Sequence, residues 1–352
     1  MKKILAIAMA MTMGLGLVAC GGGNSAADST AETDGTAEAP AEDVPAGDAS
    51  APEEAPFGEG TYTVGICQLV QHEALDAATQ GFKDALNEEL GEGTVVFDEQ
   101  NAQNDSNTCS TIINGFVSGG VDLILANATP ALQAAQAGTN EIPILGTSVT
   151  EYGVALGIDG FDGTVGGNIS GTSDLAPLDE QAAMLQELFP DAKNVGLIYC
   201  TTEANSQYQV DEVQKFLEEL GYTCKQYGFS DSNDLSAVAT TAVADNDVLY
   251  VPTDNTVASN AELLNNIAQP AKVPVIAGEE GICTGCGVAT LSISYYDLGV
   301  ATGKMAAKIL TGAADISTMP IEYAPQFTKK YNAPLCEALE ITIPDDYVAI
   351  GE

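Results

Sequence analysis

Val121-Asp122-Leu123-Ile124-Leu125-Ala126-Asn127-Ala128-Thr129-Pro130 is the stretch on which the fold turns. The apolar run from Val121 to Ala126 has the length of one buried strand and stops at a polar turn. Thr129 before Pro130 then reads as a helix start, because a hydroxyl residue caps orphan amides and proline suits the first helical turn. Strand, short polar turn and helix together make one βα unit of a parallel sheet.

The same grammar recurs on either side. Strands are expected at 62–69, 94–97 and 142–145, with helices at 74–90, 108–117 and 130–137 in the gaps; Leu75, Ala78, Phe82, Ala85 and Leu86 form one apolar stripe on the first. A glycine-rich passage, 163–171, is a candidate crossing between lobes, and the alternation restarts beyond it. Strands at 194–199, 222–227, 248–251 and 274–277 alternate with helices at 178–189, 206–220, 235–244 and 258–268. A strand at 288–293, a helix at 295–310 and a strand at 321–327 are surplus to one lobe and are expected to recross the hinge. The fold class is α/β, with two Rossmann-like lobes built on parallel sheets. Lobe 1 is assigned 61–170 plus 294–320, and lobe 2 is assigned 171–293 plus 321–352.

Further out, the chain's head explains itself. Lys2 and Lys3 precede an apolar run from Ile4 to Ala19, the pattern of a secretory signal and too short to span a bilayer comfortably. Leu17-Val18-Ala19-Cys20 looks like a bacterial lipobox, which makes 1–19 a signal peptide and Cys20 the lipidated residue. Residues 20–60 carry ten acidic side chains, no lysine and almost no large apolar group; such a segment cannot bury enough to fold and reads as an extended tether.

Composition excludes several function classes. All 11 basic residues are lysine, against 50 acidic ones, and a formal charge of −39 is incompatible with a phosphate-binding face, so no nucleic acid partner is expected. A single histidine, His72, rules out metal sites built on two imidazoles, and no metal or cofactor is expected. No nucleophile elbow or phosphate loop is present, so no catalytic residue is named. Seven cysteines follow Cys20, an odd number scattered through apolar segments, and they read mostly as small core residues. Cys283-Thr284-Gly285-Cys286 has the spacing of a local disulfide, an inert loop or a redox pair.

In an open parallel sheet, ligands gather beyond the carboxyl ends of the strands. Those ends here are polar throughout: Gln68 to Glu73, Asn127 to Pro130 and Gly146 to Thr150 in lobe 1, then Cys200 to Ser206, Pro252 to Thr256 and Gly278 to Gly281 in lobe 2. Each loop also opens a helix, so capping and ligand contact stand as equal alternatives for any one residue. With no arginine to fork a carboxylate, that group would sit on helix N-terminal amides and the hydroxyls of Thr129, Thr147 and Ser148. Asp254, Glu279 and Glu280 are candidates for an ammonium, Tyr152 and Tyr208 for stacking, and His72 for a ligand hydrogen bond or a cap.

Eight segments jointly carry a family resemblance: QLVQHEALD (68–76), ANATPALQAA (126–135), GTSDLAP (171–177), EANS (203–206), VPTDNT (251–256), AGEEG (277–281), YYDLG (295–299) and ITIP (341–344). Through them the chain resembles, over about 61–345, the substrate-binding lipoproteins of ABC transporters with a type I periplasmic-binding-protein fold, in the branch linked to tryptophan, tyrosine or phenylalanine uptake. The resemblance implies two lobes joined by three crossings that close around a ligand, with contacts at Gln68, His72, Thr129, Ser148, Asn205, Asp254, Asn255 and Glu280. Ser206 and Thr147 join that set from the strand-end reading. Ser294 stands where an aspartate commonly precedes the tyrosine pair, and Glu151-Tyr152 replaces a usual Asp-Pro. The expected protein is an extracytoplasmic, lipid-anchored monomer and not an enzyme; it takes an amino acid, expected to be aromatic, to an ABC permease. A receptor for a sugar, nucleoside or small organic ion on the same fold is the alternative, with an extracellular enzyme or structural surface lipoprotein further off.

Overall fold

The computed structural model describes residues 61–324 and 326–351. The expected signal peptide, lipidated Cys20 and tether therefore lie outside the described residues. Lobe 1 opens with β1 (Tyr62–Gln68), α1 (Glu73–Leu90), β2 (Val95–Asn101), α2 (Ser106–Gly119), β3 (Leu123–Asn127), α3 (Thr129–Gly138), β4 (Ile144–Val149), α4 (Tyr152–Leu156) and β5 (Ile169–Ser173). Lobe 2 follows with α5 (Leu178–Leu188), β6 (Asn194–Cys200), α6 (Ala204–Glu219), β7 (Thr223–Phe229), α7 (Ser232–Asp245), β8 (Val248–Val251), α8 (Asn255–Ala258), α9 (Ala261–Ala271), β9 (Val275–Ala277), α10 (Glu280–Gly285) and β10 (Ala289–Ser292). The chain ends with α11 (Tyr295–Leu310), β11 (Glu322–Tyr323), β12 (Thr328–Tyr331), α12 (Ala333–Leu339) and β13 (Val348–Ala349).

Two sheets result, with strand orders β11-β5-β4-β3-β1-β2 and β13-β12-β10-β9-β8-β6-β7. Among the described residues, every pairing between named strands is parallel except β10 with β12. Leu123 to Asn127 is buried along its whole length, as a strand covered by helices on both faces must be. The chain passes between the sheets three times, after β5, after β10 and after β11.

Two crossings sit later than the sequence suggests. The glycine-rich passage 163–171 is not the first one: it runs into β5, which pairs with β4 inside the first sheet, so the crossing begins at Asp174 and the 170/171 boundary cuts a strand. Ile169-Ser170-Gly171-Thr172-Ser173 lacks an apolar run because it packs its hydroxyls inward: Thr172 shares hydrogen bonds with Thr147 and Thr302. The expected strand at 321–327 divides into β11, paired with β5 in the first sheet, and β12, paired with β10 in the second.

Helix α11 returns to cover lobe 1, and glycines set how closely it lies on α1. A Cβ at Gly299 would run into the Ala78 carbonyl oxygen, and one at Gly81 into that of Tyr296, so neither position admits a side chain without separating the helices. Ser294 caps α11 by accepting from the Asp297 amide, and Glu151 caps α4 through the Gly153 and Val154 amides. The two departures from the family pattern thus act as ordinary helix starts.

Candidate functional site

The carboxyl ends of the two sheets confront each other, and hydrogen bonds cross the gap between them. His72, in the loop after β1, lies 3.1 Å from the Asn255 side-chain oxygen at the start of α8. Asn104, after β2, donates to the Thr256 hydroxyl at 3.0 Å. Both lobe 1 residues come from the β1–β2 edge of the first sheet, opposite the edge where β5 and β11 lead to the hinge.

The ten candidate residues separate into three groups by their partners. Gln68 is engaged within lobe 1: its amide donates to the Val70 carbonyl and to Asp76, and its oxygen accepts from Thr79. Thr147 bonds Thr172 beneath α11. Ser206 is fully buried beside Asn205, whose amide lies 3.3 Å from its hydroxyl. Asp254 accepts from the Cys200 amide at 2.6 Å and from the Val257 amide at 2.8 Å, capping α8. Burial, with the Glu203 charge beside it, pushes the Asp254 carboxyl upward. Glu280 pairs with Lys330 at 2.5 Å on the surface of lobe 2. Both oxygens of Asp254 are thus engaged, and so are those of Glu279, held by the Gly281 and Ile282 amides, whereas Glu280 uses only Oε2, in its pair with Lys330.

His72 and Asn255 form the second group, bonded to each other across the gap. His72 stands at the N-cap position of α1 without capping it through its side chain. Burial pulls the imidazole below its ordinary range, against the opposing pull of Asn255, Glu203 and Asp76.

Thr129, Ser148 and Asn205 form the third group. The Thr129 hydroxyl, the Ser148 hydroxyl and the Asn205 carbonyl oxygen are buried with no hydrogen-bond partner among the described residues. An orphaned buried polar atom costs about 1–3 kcal/mol, so one on each of several strand ends calls for a partner. Thr129 is not the expected cap: α3 begins at Thr129 itself, its N-cap position is Ala128, and no side chain closes the turn. The backbone is unusual at the same two turns, with φ of 93° at Ala128 and 54° at Ser148, and the β4–β5 register slips between Gly146 and Val149. Non-glycine residues held at positive φ cost of order 1–3 kcal/mol and persist where the surroundings over-determine them.

Sequence reasoning missed a fourth such residue. Asp174, at the end of β5, is 4% exposed; its Oδ2 accepts from the Tyr295 hydroxyl at 3.0 Å, while its Oδ1 has no hydrogen-bond partner among the described residues. Its amide bonds the Val149 carbonyl, and the Ser173 hydroxyl before it bonds the Thr150 carbonyl, which places Asp174 beside the strand end that carries Ser148. Burial pushes its carboxyl upward, partly offset by Tyr295 and Thr150. The missing signal is β5 itself: with 169–173 read as part of a lobe crossing, the residue after it does not count as a strand end. Tyr152 is no stacking platform, since its ring is buried against Phe161 and its hydroxyl bonds the Thr172 carbonyl. Tyr208 is half-buried on α6 and feels the charge of Glu151 from lobe 1. Cys283 and Cys286 are free buried thiols at α10, not a disulfide.

Residues 63–350 match the sequence profile of the ABC transporter substrate binding protein family. A tyrosine-binding protein of Clostridioides difficile is 37% identical over 280 residues, 79% of this chain and 81% of that protein. The crystal structure of an ABC domain in complex with L-Trp from Streptococcus pneumonia has 30% identity and a TM-score of 0.77, covering 81% of this chain and 96% of that one. The ligand-free, open structure of a substrate-binding protein with adhesive properties from Clostridium difficile has 38% identity but a TM-score of only 0.64, over 82% and 99% of the two chains. The backbone is thus nearer the liganded relative than the open one, although its sequence is nearer the open one.

Proposed function

We propose, for a chain that belongs to the ABC transporter substrate-binding protein family, that its two lobes close on an aromatic L-amino acid and carry it unchanged to a membrane permease. The observation that carries this reading is the set of buried, partnerless polar atoms on both sides of the gap: Thr129 Oγ1, Ser148 Oγ and Asp174 Oδ1 from lobe 1, Asn205 Oδ1 from lobe 2. Hydroxyls suit a carboxylate, and α3 directs its N-terminal dipole to the same turn as Thr129, which serves where the chain has no arginine. Asp174 takes the ammonium, because it is buried with one oxygen unpartnered among the described residues, whereas both oxygens of Asp254 and Glu279 are engaged and Glu280 already pairs with a lysine. The Asn205 oxygen accepts a second donor from the ligand on the lobe 2 side.

The choice of an aromatic side chain is supported by the tyrosine named for one relative and the tryptophan bound in another. A ligand touching both rows shifts the open and closed populations by its preference for the closed one, so closure needs no chemistry on the ligand. Lipid anchoring at Cys20, a tether over 20–60 and a monomeric state complete the reading. Thermal unfolding in the presence of each amino acid, a sugar panel and a nucleoside panel tests it. A true ligand at a hundred times its Kd adds about 2.7 kcal/mol. Stabilisation by sugars with none by tyrosine, tryptophan or phenylalanine overturns the aromatic assignment, and recovery of altered ligand overturns the receptor.

A further inference from the structure

Both bonds that cross the gap at the β1–β2 edge converge on one carboxylate whose hydrogen-bond donors, among the described residues, all come from lobe 2. Glu203, 3% exposed at the N-cap of α6, accepts from the Asn255 amide at 3.0 Å and the Asn255 side-chain nitrogen at 2.7 Å. It also accepts from the Thr256 amide at 2.9 Å and the Thr256 hydroxyl at 2.7 Å. These bonds fix the direction of everything beyond them. Asn255 must aim its nitrogen at Glu203, so its oxygen faces His72 as an acceptor; Thr256 gives its proton to Glu203, so its lone pairs face Asn104.

The tautomer of His72 follows. Opposite an acceptor, Nε2 must carry the proton, and Nδ1 is then a bare lone pair, buried with no partner among the described residues. A second proton on Nδ1 would be a buried donor facing no acceptor. The charged groups around the ring are Asp76 and Glu73 on α1, Glu203 behind Asn255, and Glu262 on the α9 side of the shared depression. All are acids, and none accepts a hydrogen bond from Nδ1.

We propose that Glu203 is a positioning residue for binding, which presets Asn255 and Thr256 as the lobe 2 half of a closure latch that His72 engages only as a neutral imidazole, so that ligand retention weakens as the medium acidifies. The proposal rests on the reading that an amino acid holds the lobes together. In the open form the ring meets water and titrates near its ordinary value of about 6.5, whereas in the closed form the protonated ring is disfavoured. Closure is therefore fully available above about pH 6.5 and is lost progressively below it.

His72 is the single histidine of the chain, so its imidazole proton signals can be followed by NMR without assignment. The titration is run free and saturated with L-tyrosine or L-tryptophan, alongside calorimetric Kd values between pH 7.5 and 5.5. The expected result is a lower titration midpoint in the complex and a Kd that rises about tenfold across that range. His72→Gln keeps a donor where Nε2 stands but has no titrating proton, and it should lose the step; Asn255→Ala removes the acceptor opposite Nε2 but leaves the imidazole buried, so it should weaken binding at pH 7.5 and keep the step. Glu279 and Asp254 are untouched by His72→Gln, so the reading is the difference between the wild-type and His72→Gln profiles. Equal midpoints in free and bound protein, parallel profiles for wild type and His72→Gln, or an Asn255→Ala affinity equal to wild type at pH 7.5 overturn the latch while leaving the receptor intact. Failure of every aromatic amino acid to bind at pH 7.5 overturns the functional reading and the latch with it. Should either variant fail to fold, the wild-type midpoints decide alone.

Discussion

The two rows of strand ends carry similar residues and treat them oppositely. In lobe 2 three acids are engaged at home: Glu203 with five donors, Asp254 with the Cys200 and Val257 amides, Glu279 with two amides of α10. In lobe 1 the hydroxyls of Thr129 and Ser148 and one oxygen of Asp174 have no partner among the described residues. A carboxylate at a strand end is therefore not evidence of a ligand contact; its unshared oxygens are. Lobe 2 offers a preset surface for closure and one open oxygen, on Asn205, whereas lobe 1 offers most of the atoms that a ligand must satisfy.

The largest effect that could break this contrast is on stability. Glu203→Ala leaves the Asn255 and Thr256 donors unpaired in a buried site and should cost about 4 kcal/mol in denaturant unfolding, with the damage confined to lobe 2. A change near zero would mean that the carboxylate is not what orders α8. Next comes Asp174→Asn, which keeps the shape but removes the charge; calorimetry should show amino acid affinity falling by about 3 kcal/mol, roughly a hundredfold, with little change in the unliganded melting temperature. Unchanged affinity would move the ammonium elsewhere and erase the distinction between the rows.

A third effect, about 2 kcal/mol, concerns pH. Burial pushes the Glu279 carboxyl up to about 7, above its unfolded value of about 4.3. A folded pKa above the unfolded one means the native state binds the extra proton, so this group's contribution falls as pH rises from about 4.5 to 7. Over that range wild type should lose this amount of unfolding free energy relative to Glu279→Gln, and a constant difference between the two would show that Glu279 keeps one protonation state. The smallest effect should come from Glu280→Ala, which removes a partly exposed ion pair with Lys330 and should change both stability and affinity by less than about 1 kcal/mol.

Much of the architecture is legible in the sequence because strands such as Val248–Val251 are pure apolar runs and α11 shows its helical stripe from Tyr295 to Leu310. β5 escapes notice because Ile169 is its single large apolar residue; hydroxyl pairs hold it in place of an apolar run, and those pairs form only once Thr147 and Thr302 are adjacent in space. With β5 hidden, Asp174 is hidden as well. The site residues are legible as a zone and not as individuals. Ser, Thr, Asn and acid at a strand end describe Ser206 and Ser148 equally, yet the first is packed beside Asn205 and the second is held at positive φ with its hydroxyl unpaired. Which of two such residues is free depends on lone pairs claimed by segments far away in sequence.

The close seat of α11 on α1 also dictates an order of assembly. Tyr296 meets Asp84 from 212 positions further along the chain, so the first lobe cannot be completed until nearly the entire second lobe has emerged. Lobe 1 thus waits with its α1 flank bare of the glycine-matched helix while β6 to β10 assemble, and the second sheet closes last, when β12 and β13 arrive.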